Sequence, residues 1–226
     1  MSELDYAGWV ARALAFADRL AALDGVVIGH SVADPPLARE VLDRVEADLR
    51  RPLPASLRRF YERGAGGVEC SYSYEPAAPA QRRLQAVLPD EERIFGGARV
   101  CRAADLADAA RSVAEWARDT WVADEPEERD LWEGALPFAS LNNGDYLALD
   151  LRGGGTEPPV VYLAHDDESA GLPPLAPHFT SFLSAWERLC YIGPEHWLLD
   201  EFRGPDGALD SDSTRAARLR ELLGVA

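Results

Sequence analysis

From Trp9 to Leu23 the apolar positions Trp9, Ala13, Phe16, Leu20 and Leu23 recur at spacings of three and four, which predicts an amphipathic helix that Asp24-Gly25 stops. A second helix is signalled by Asp34 as N-cap, Pro35 in the first turn, and Leu37, Val41, Val45 and Leu49 on one face. A third starts at Pro54, presents Leu57, Phe60 and Tyr61, and halts at the glycines within 64–67. Beyond them Val68, Cys70, Tyr72 and Tyr74 alternate with Glu69, Ser71 and Ser73, which places four larger side chains on one face of a strand. The Pro- and Ala-rich segment 75–85 reads as a surface excursion. After Gly96-Gly97 come a short strand, Arg99-Val100-Cys101, and a helix from Ala104 to Trp121 with Leu106, Ala110, Val113 and Ala117 on its stripe. Residues 124–130 read as an acidic loop.

The pattern then switches period. Leu136-Pro137-Phe138-Ala139, a turn at Asn142-Asn143-Gly144, a run from Asp145 to Leu151, and Pro159-Val160-Val161-Tyr162-Leu163 predict a β-meander, because Asn-Gly between apolar runs favours a tight hairpin turn. Phe179, Phe182, Leu183 and Trp186 follow at helical spacing, completing a helix near Tyr191. The segment 195–202 fits a strand or a short helix, and 214–223 fits a final helix. No internal repeat and no second core are legible, so one domain over residues 1–226 is expected.

A chain of 226 residues with 47% hydrophobic content is long and apolar enough to bury a sizeable core. Its net charge of −16 repels phosphate backbones and lipid headgroups, so direct nucleic-acid binding and membrane association are not expected, whereas a basic protein partner would be attracted. Every basic residue other than histidine is Arg, which excludes Schiff-base, Walker-type and kinase-type lysine chemistry. Cys70, Cys101 and Cys190 lack a CxxC spacing and read as buried small hydrophobes. The acidic start and the lack of any apolar run near the ~20 residues of a membrane helix make the cytoplasm the expected compartment.

Candidate chemistry is sparse. His165-Asp166-Asp167-Glu168 concentrates metal-capable groups, yet neighbours on a loop seldom converge on one ion, and neither HExxH nor GxSxG occurs. The glycine pairs Gly66-Gly67 and Gly96-Gly97 lack nucleotide-binding spacing. Gly144 and Asp145 read as structural, the first supplying a positive φ and the second bonding a loop amide. Two acidic clusters, Glu125, Glu127, Glu128 and Asp130 beside Trp132, and Asp166, Asp167 and Glu168, are candidate partner contacts, since opposite fields accelerate association.

The elements from Leu53-Pro54 through Phe60-Tyr61 to Gly66-Gly67, followed in order by Pro137-Phe138-Ala139, Gly144-Asp145-Tyr146-Leu147-Ala148-Leu149-Asp150-Leu151, Val160-Val161-Tyr162 and Phe179, Phe182 and Leu183, resemble the SMI1/KNR4 or SUKH superfamily. The likeness covers about residues 37–186, leaving an N-terminal helical extension (1–30) and a C-terminal extension (195–226). Ala65 stands where the family often has Asn, and Pro177-His178 where many members have a small polar residue. The resemblance implies an α+β fold: a mainly antiparallel sheet of about six strands with helices packed on one side, and extra terminal helices. For bacterial members it implies a cytoplasmic immunity protein, an antitoxin that occludes a basic toxin domain and has no catalytic residue, cofactor or metal. A regulatory or scaffold protein like the fungal members is the alternative; a metal-dependent hydrolase using His165 and its acidic neighbours is the third reading. Oligomeric state is left open.

Overall fold

The computed structural model describes residues 4–75, 78–88 and 94–224. The chain first forms α1 (Tyr6–Leu20), β1 (Val26–Asp34), α2 (Arg39–Leu49), α3 (Ala55–Arg63), β2 (Gly67–Tyr74), α4 (Pro79–Leu84), β3 (Phe95–Gly96) and β4 (Arg99–Val100). Single 3-10 turns at Ala103–Asp105 and Trp121–Asp124 flank α5 (Leu106–Asp119), and α6 (Pro126–Gly134) follows. The meander is β5 (Ala135–Ser140), β6 (Tyr146–Asp150) and β7 (Val160–Leu163); the remainder is α7 (Phe179–Arg188), α8 (His196–Asp200) and α9 (Thr214–Leu222).

The α+β class is as expected, with every strand pair antiparallel. The strands, however, divide into two sheets. The first has β2 at its centre, with β1 on one side and the short β3 and β4 sharing the other; the second is β5-β6-β7. They meet where the Cys101 N–H donates to the Phe138 carbonyl at 2.7 Å.

β1 was not legible in the sequence: its residues are mostly exposed, so no buried face imposes a period of two. Pairing decides its end as well. Asp34 lies opposite Gly67 in the ladder instead of capping α2, whose N-cap is Ala38. Both members of the glycine pair are needed for close approach. A Cβ on Gly66 would lie 2.9 Å from the Pro35 carbonyl oxygen, and one on Gly67 would lie 2.9 Å from the Arg102 Cα. The expected surface excursion contains the short helix α4, started by Pro79 and anchored by buried Leu84.

The main core takes residues from both ends of the chain: Trp9, Ala13 and Phe16 of α1, and Ala216 and Leu219 of α9, join Val68, Tyr72, Phe138, Leu149, Phe182 and Trp186. Phe60 makes edge contacts with Tyr6, Trp9, Tyr61 and Phe179, tying α1, α3 and α7 together. Trp9 Nε1 donates to the Leu183 carbonyl at 2.9 Å. Where a small polar residue would ordinarily cap α7, His178 does so, its Nδ1 accepting from the Ser181 N–H at 3.2 Å. Cys70 and Cys190 are buried and Cys101 is half-buried; all three are free.

A second cluster, unexpected from the sequence, comprises Val113, Ala117, Val122, Leu131, Trp132, Ala135, Ala148, Val161 and Leu163. Along β6, Leu147 and Leu149 enter the main core and Ala148 enters this one. Alternate residues of a strand point to opposite faces, so the second sheet has helices on both sides rather than one, α5 and α6 covering the face that the main core leaves.

Candidate functional site

The turn between β5 and β6 is drawn tight at its polar end. Gly144 has φ +99°, a conformation that other residues adopt only at a cost, and the Leu141 N–H donates to the Asp145 carbonyl at 2.8 Å. The buried Asp145 carboxylate accepts from Asn143 Nδ2 at 2.5 Å, the Tyr162 hydroxyl, and the His165 N–H at 2.8 Å. His165 Nδ1 stands 2.7 Å from Asp145 Oδ1. Burial opposes the charge, but these donors together outweigh it and hold the carboxyl below its ordinary range. Conversely, burial and the Asp145 contact push the Tyr162 hydroxyl far up. The carboxylate ties the turn to the end of β7.

Asp145, His165 and Asp166 present ligand atoms within 4.8 Å of one another. Asp166 Oδ1 lies 3.7 Å from His165 Nδ1, and Asp145 is already surrounded by donors. A cation there would have to displace hydrogen bonds that hold the turn, so the donor set suits a structural tie better than a metal centre.

The expected acidic loop is largely helix α6. Pro126 opens it and Glu127 and Glu128 lie in its first turn, where proline needs no N–H partner and negative charge complements the helix dipole. Two expected contact residues are internal. Glu128 is 3% exposed, and its Oε1 accepts from the Ser169 and Ala170 N–H groups at 2.6 and 2.5 Å. Trp132 is 1% exposed and stacks on Trp116 with ring centroids 6.3 Å apart, so it is not the surface contact that was expected. The sequence hid this packing behind five acids among residues 124–130.

The tie made by Glu128 brings the two acidic segments side by side. Trp121 Nε1, donating to the His165 carbonyl at 2.8 Å, adds a second fastening between the loop and the α5–α6 layer. Glu125, Glu127 and Asp130 on one segment and Asp166, Asp167 and Glu168 on the other remain exposed. These exposed carboxylates thus lie on two chain segments that buried contacts hold together.

Leu53, Phe179, Phe182 and Leu183 are buried in the main core, and Pro54 is the N-cap residue of α3. Pro137 sits beside a register shift in the β5–β6 ladder, a position that tolerates a missing N–H.

Among known families, the model described as the SMI1 / KNR4 family (SUKH-1) matches residues 36–185. No curated protein matches the chain.

Proposed function

Because the chain belongs to the SMI1 / KNR4 family (SUKH-1), we propose that it is a non-enzymatic, cytoplasmic protein-binding domain that acts as an immunity protein, neutralising a cognate toxin by direct binding. Domains of this family often serve as immunity proteins. The observation that carries the reading here is the adjoining acidic surface: Glu128 clasps the 169–170 amides, and the remaining carboxylates of 124–130 and 166–168 face solvent in a chain of net charge −16. Such a surface complements the basic groove with which a nucleic-acid-directed toxin holds its substrate, so stoichiometric occlusion requires no catalytic group. Among the described residues no helix is long and apolar enough to cross a membrane.

The test is co-expression with the toxin domain encoded beside this chain, scored by cell survival and by co-purification at low and high salt. Rescue, with a complex that weakens as salt rises, is expected. Absence of both rescue and complex overturns the antitoxin reading and favours a regulatory or scaffold role for the same surface.

A further inference from the structure

A pocket of about 540 Å³ opens on the outer side of the first sheet, between β2, β3 and the segment 193–197. Phe95 and Trp197 line it together with Ser71, Asn142, Asn143 and Glu195. Glu195 is only 5% exposed, and its Oε2 is buried with no hydrogen-bond partner among the described residues. Withdrawing a carboxylate from water without giving it a donor is costly, and folded proteins rarely leave such an atom unmatched. The cost registers in proton affinity: burial, with the Asp145 charge adding to it, pushes the Glu195 carboxyl up to about 7 against the opposing pull of Arg99 and a backbone N–H.

The cation at the rim is occupied elsewhere. Arg99 donates to Glu69 Oε1 at 2.8 Å, the Ser140 carbonyl at 2.8 Å and Asn142 Oδ1 at 3.0 Å. The Tyr162 hydroxyl, which senses the Glu195 charge, is bonded to Asp145. His196, the next residue, meets the Tyr162 ring edge-on at 5.3 Å. What the buried Glu195 oxygen lacks is a partner of its own, and a second positive group with a flat face could match the carboxylate on its edge and the aromatic rings on its plane.

We propose that this pocket binds a guanidinium group, with Glu195 as its counter-ion and Phe95 and Trp197 as its aromatic walls. The inference does not depend on the antitoxin reading, because the pocket and the acidic surface are built from different residues. A guanidinium reaches such a site either as an arginine side chain of a protein or as a small free molecule, and the two present the same chemistry to Glu195.

The full chain would be titrated with Nα-acetyl-L-argininamide, with free L-arginine, and with Nα-acetyl-norleucinamide as the neutral control. Binding is followed by the Trp197 indole NMR signal, assigned with Trp197→Phe. Saturable shifts with the arginine compounds and none with the control are expected. Glu195→Gln should weaken binding by about tenfold or more, the loss typical of a hydrogen bond to a charged group. Affinity should rise between about pH 6 and about pH 8 as Glu195 ionises. Tighter binding of the capped compound assigns the site to a protein side chain, and binding of free arginine as tight or tighter assigns it to a small molecule. Absence of saturation by both compounds, or unchanged affinity in a folded Glu195→Gln chain, overturns the proposal. Should that variant fail to fold, Phe95→Leu decides: loss of affinity supports the aromatic wall, and no loss overturns it.

Discussion

The two sheets of this protein are alike in direction and unlike in cover. The second, β5 to β7, is buried on both faces: Leu147, Leu149 and Tyr162 enter the main core while Ala148, Val161 and Leu163 enter the other cluster. The first buries Val68, Cys70, Tyr72 and Tyr74 on one face, while Glu69, Ser71 and Ser73 remain partly exposed on the other, and its edge strand β1 exposes Val27 and Val32 at 44% and 53%. Burial on two faces makes a sheet a rigid frame, and burial on one leaves a surface for contact. The acidic segments are fastened to the frame, whereas the Glu195 pocket opens on the sheet that has a free face.

The contrast can be broken most strongly at Phe138, which is fully buried and touches Phe179 and Phe182. Phe138→Ala should lower unfolding free energy by about 3–5 kcal/mol, measured by denaturant titration. A loss under about 1 kcal/mol would mean that the doubly covered sheet is not the frame.

Asp145→Asn should be the next largest, costing about 1–3 kcal/mol at neutral pH because charge-assisted bonds from Asn143, Tyr162 and His165 are lost together. The sign with pH is fixed by the lowered carboxyl pKa. The stabilisation from Asp145 is fully present above the unfolded value, about 3.9, and is lost as pH falls through the lower folded value. The gap between wild type and variant should therefore narrow on acidification. A pH-independent gap would show that charge plays no part in the tie.

The smallest effect is expected on the open sheet. Val32→Thr keeps strand propensity at an exposed edge position and should change stability by no more than about 0.5 kcal/mol. A larger loss in thermal unfolding would show that this edge is covered, for example by another copy of the chain.

The meander and its following helix were legible because local signals agreed: the Asn-Gly turn, β-branched and aromatic runs, and the helical spacing of Phe179, Phe182 and Trp186 all favour the observed elements. The amphipathic stripe of α1 was equally clear. β1 was hidden because an exposed strand has no apolar alternation, and α6 because its charges resemble a solvated loop while its two buried apolar residues, Leu131 and Trp132, adjoin in sequence. Of the candidate contact residues, the exposed carboxylates could be picked out by composition, but Glu128 could not be separated from Glu127. Only the positions of the Ser169 and Ala170 amides distinguish them.

By itself the sequence determined the strongly negative charge, the absence of lysine chemistry, the local elements with a clear period and, through its ordered motifs, the family. The tertiary structure alone decided that the strands form two sheets, that one of them is covered twice, that the acidic segments adjoin, and that Glu195 is buried beside a pocket. Local periodicity records which face of an element avoids water. Which other element covers that face, and which buried polar group is left without a partner, depends on contacts between residues far apart in the chain, such as Glu128 with Ser169, and no local pattern encodes them.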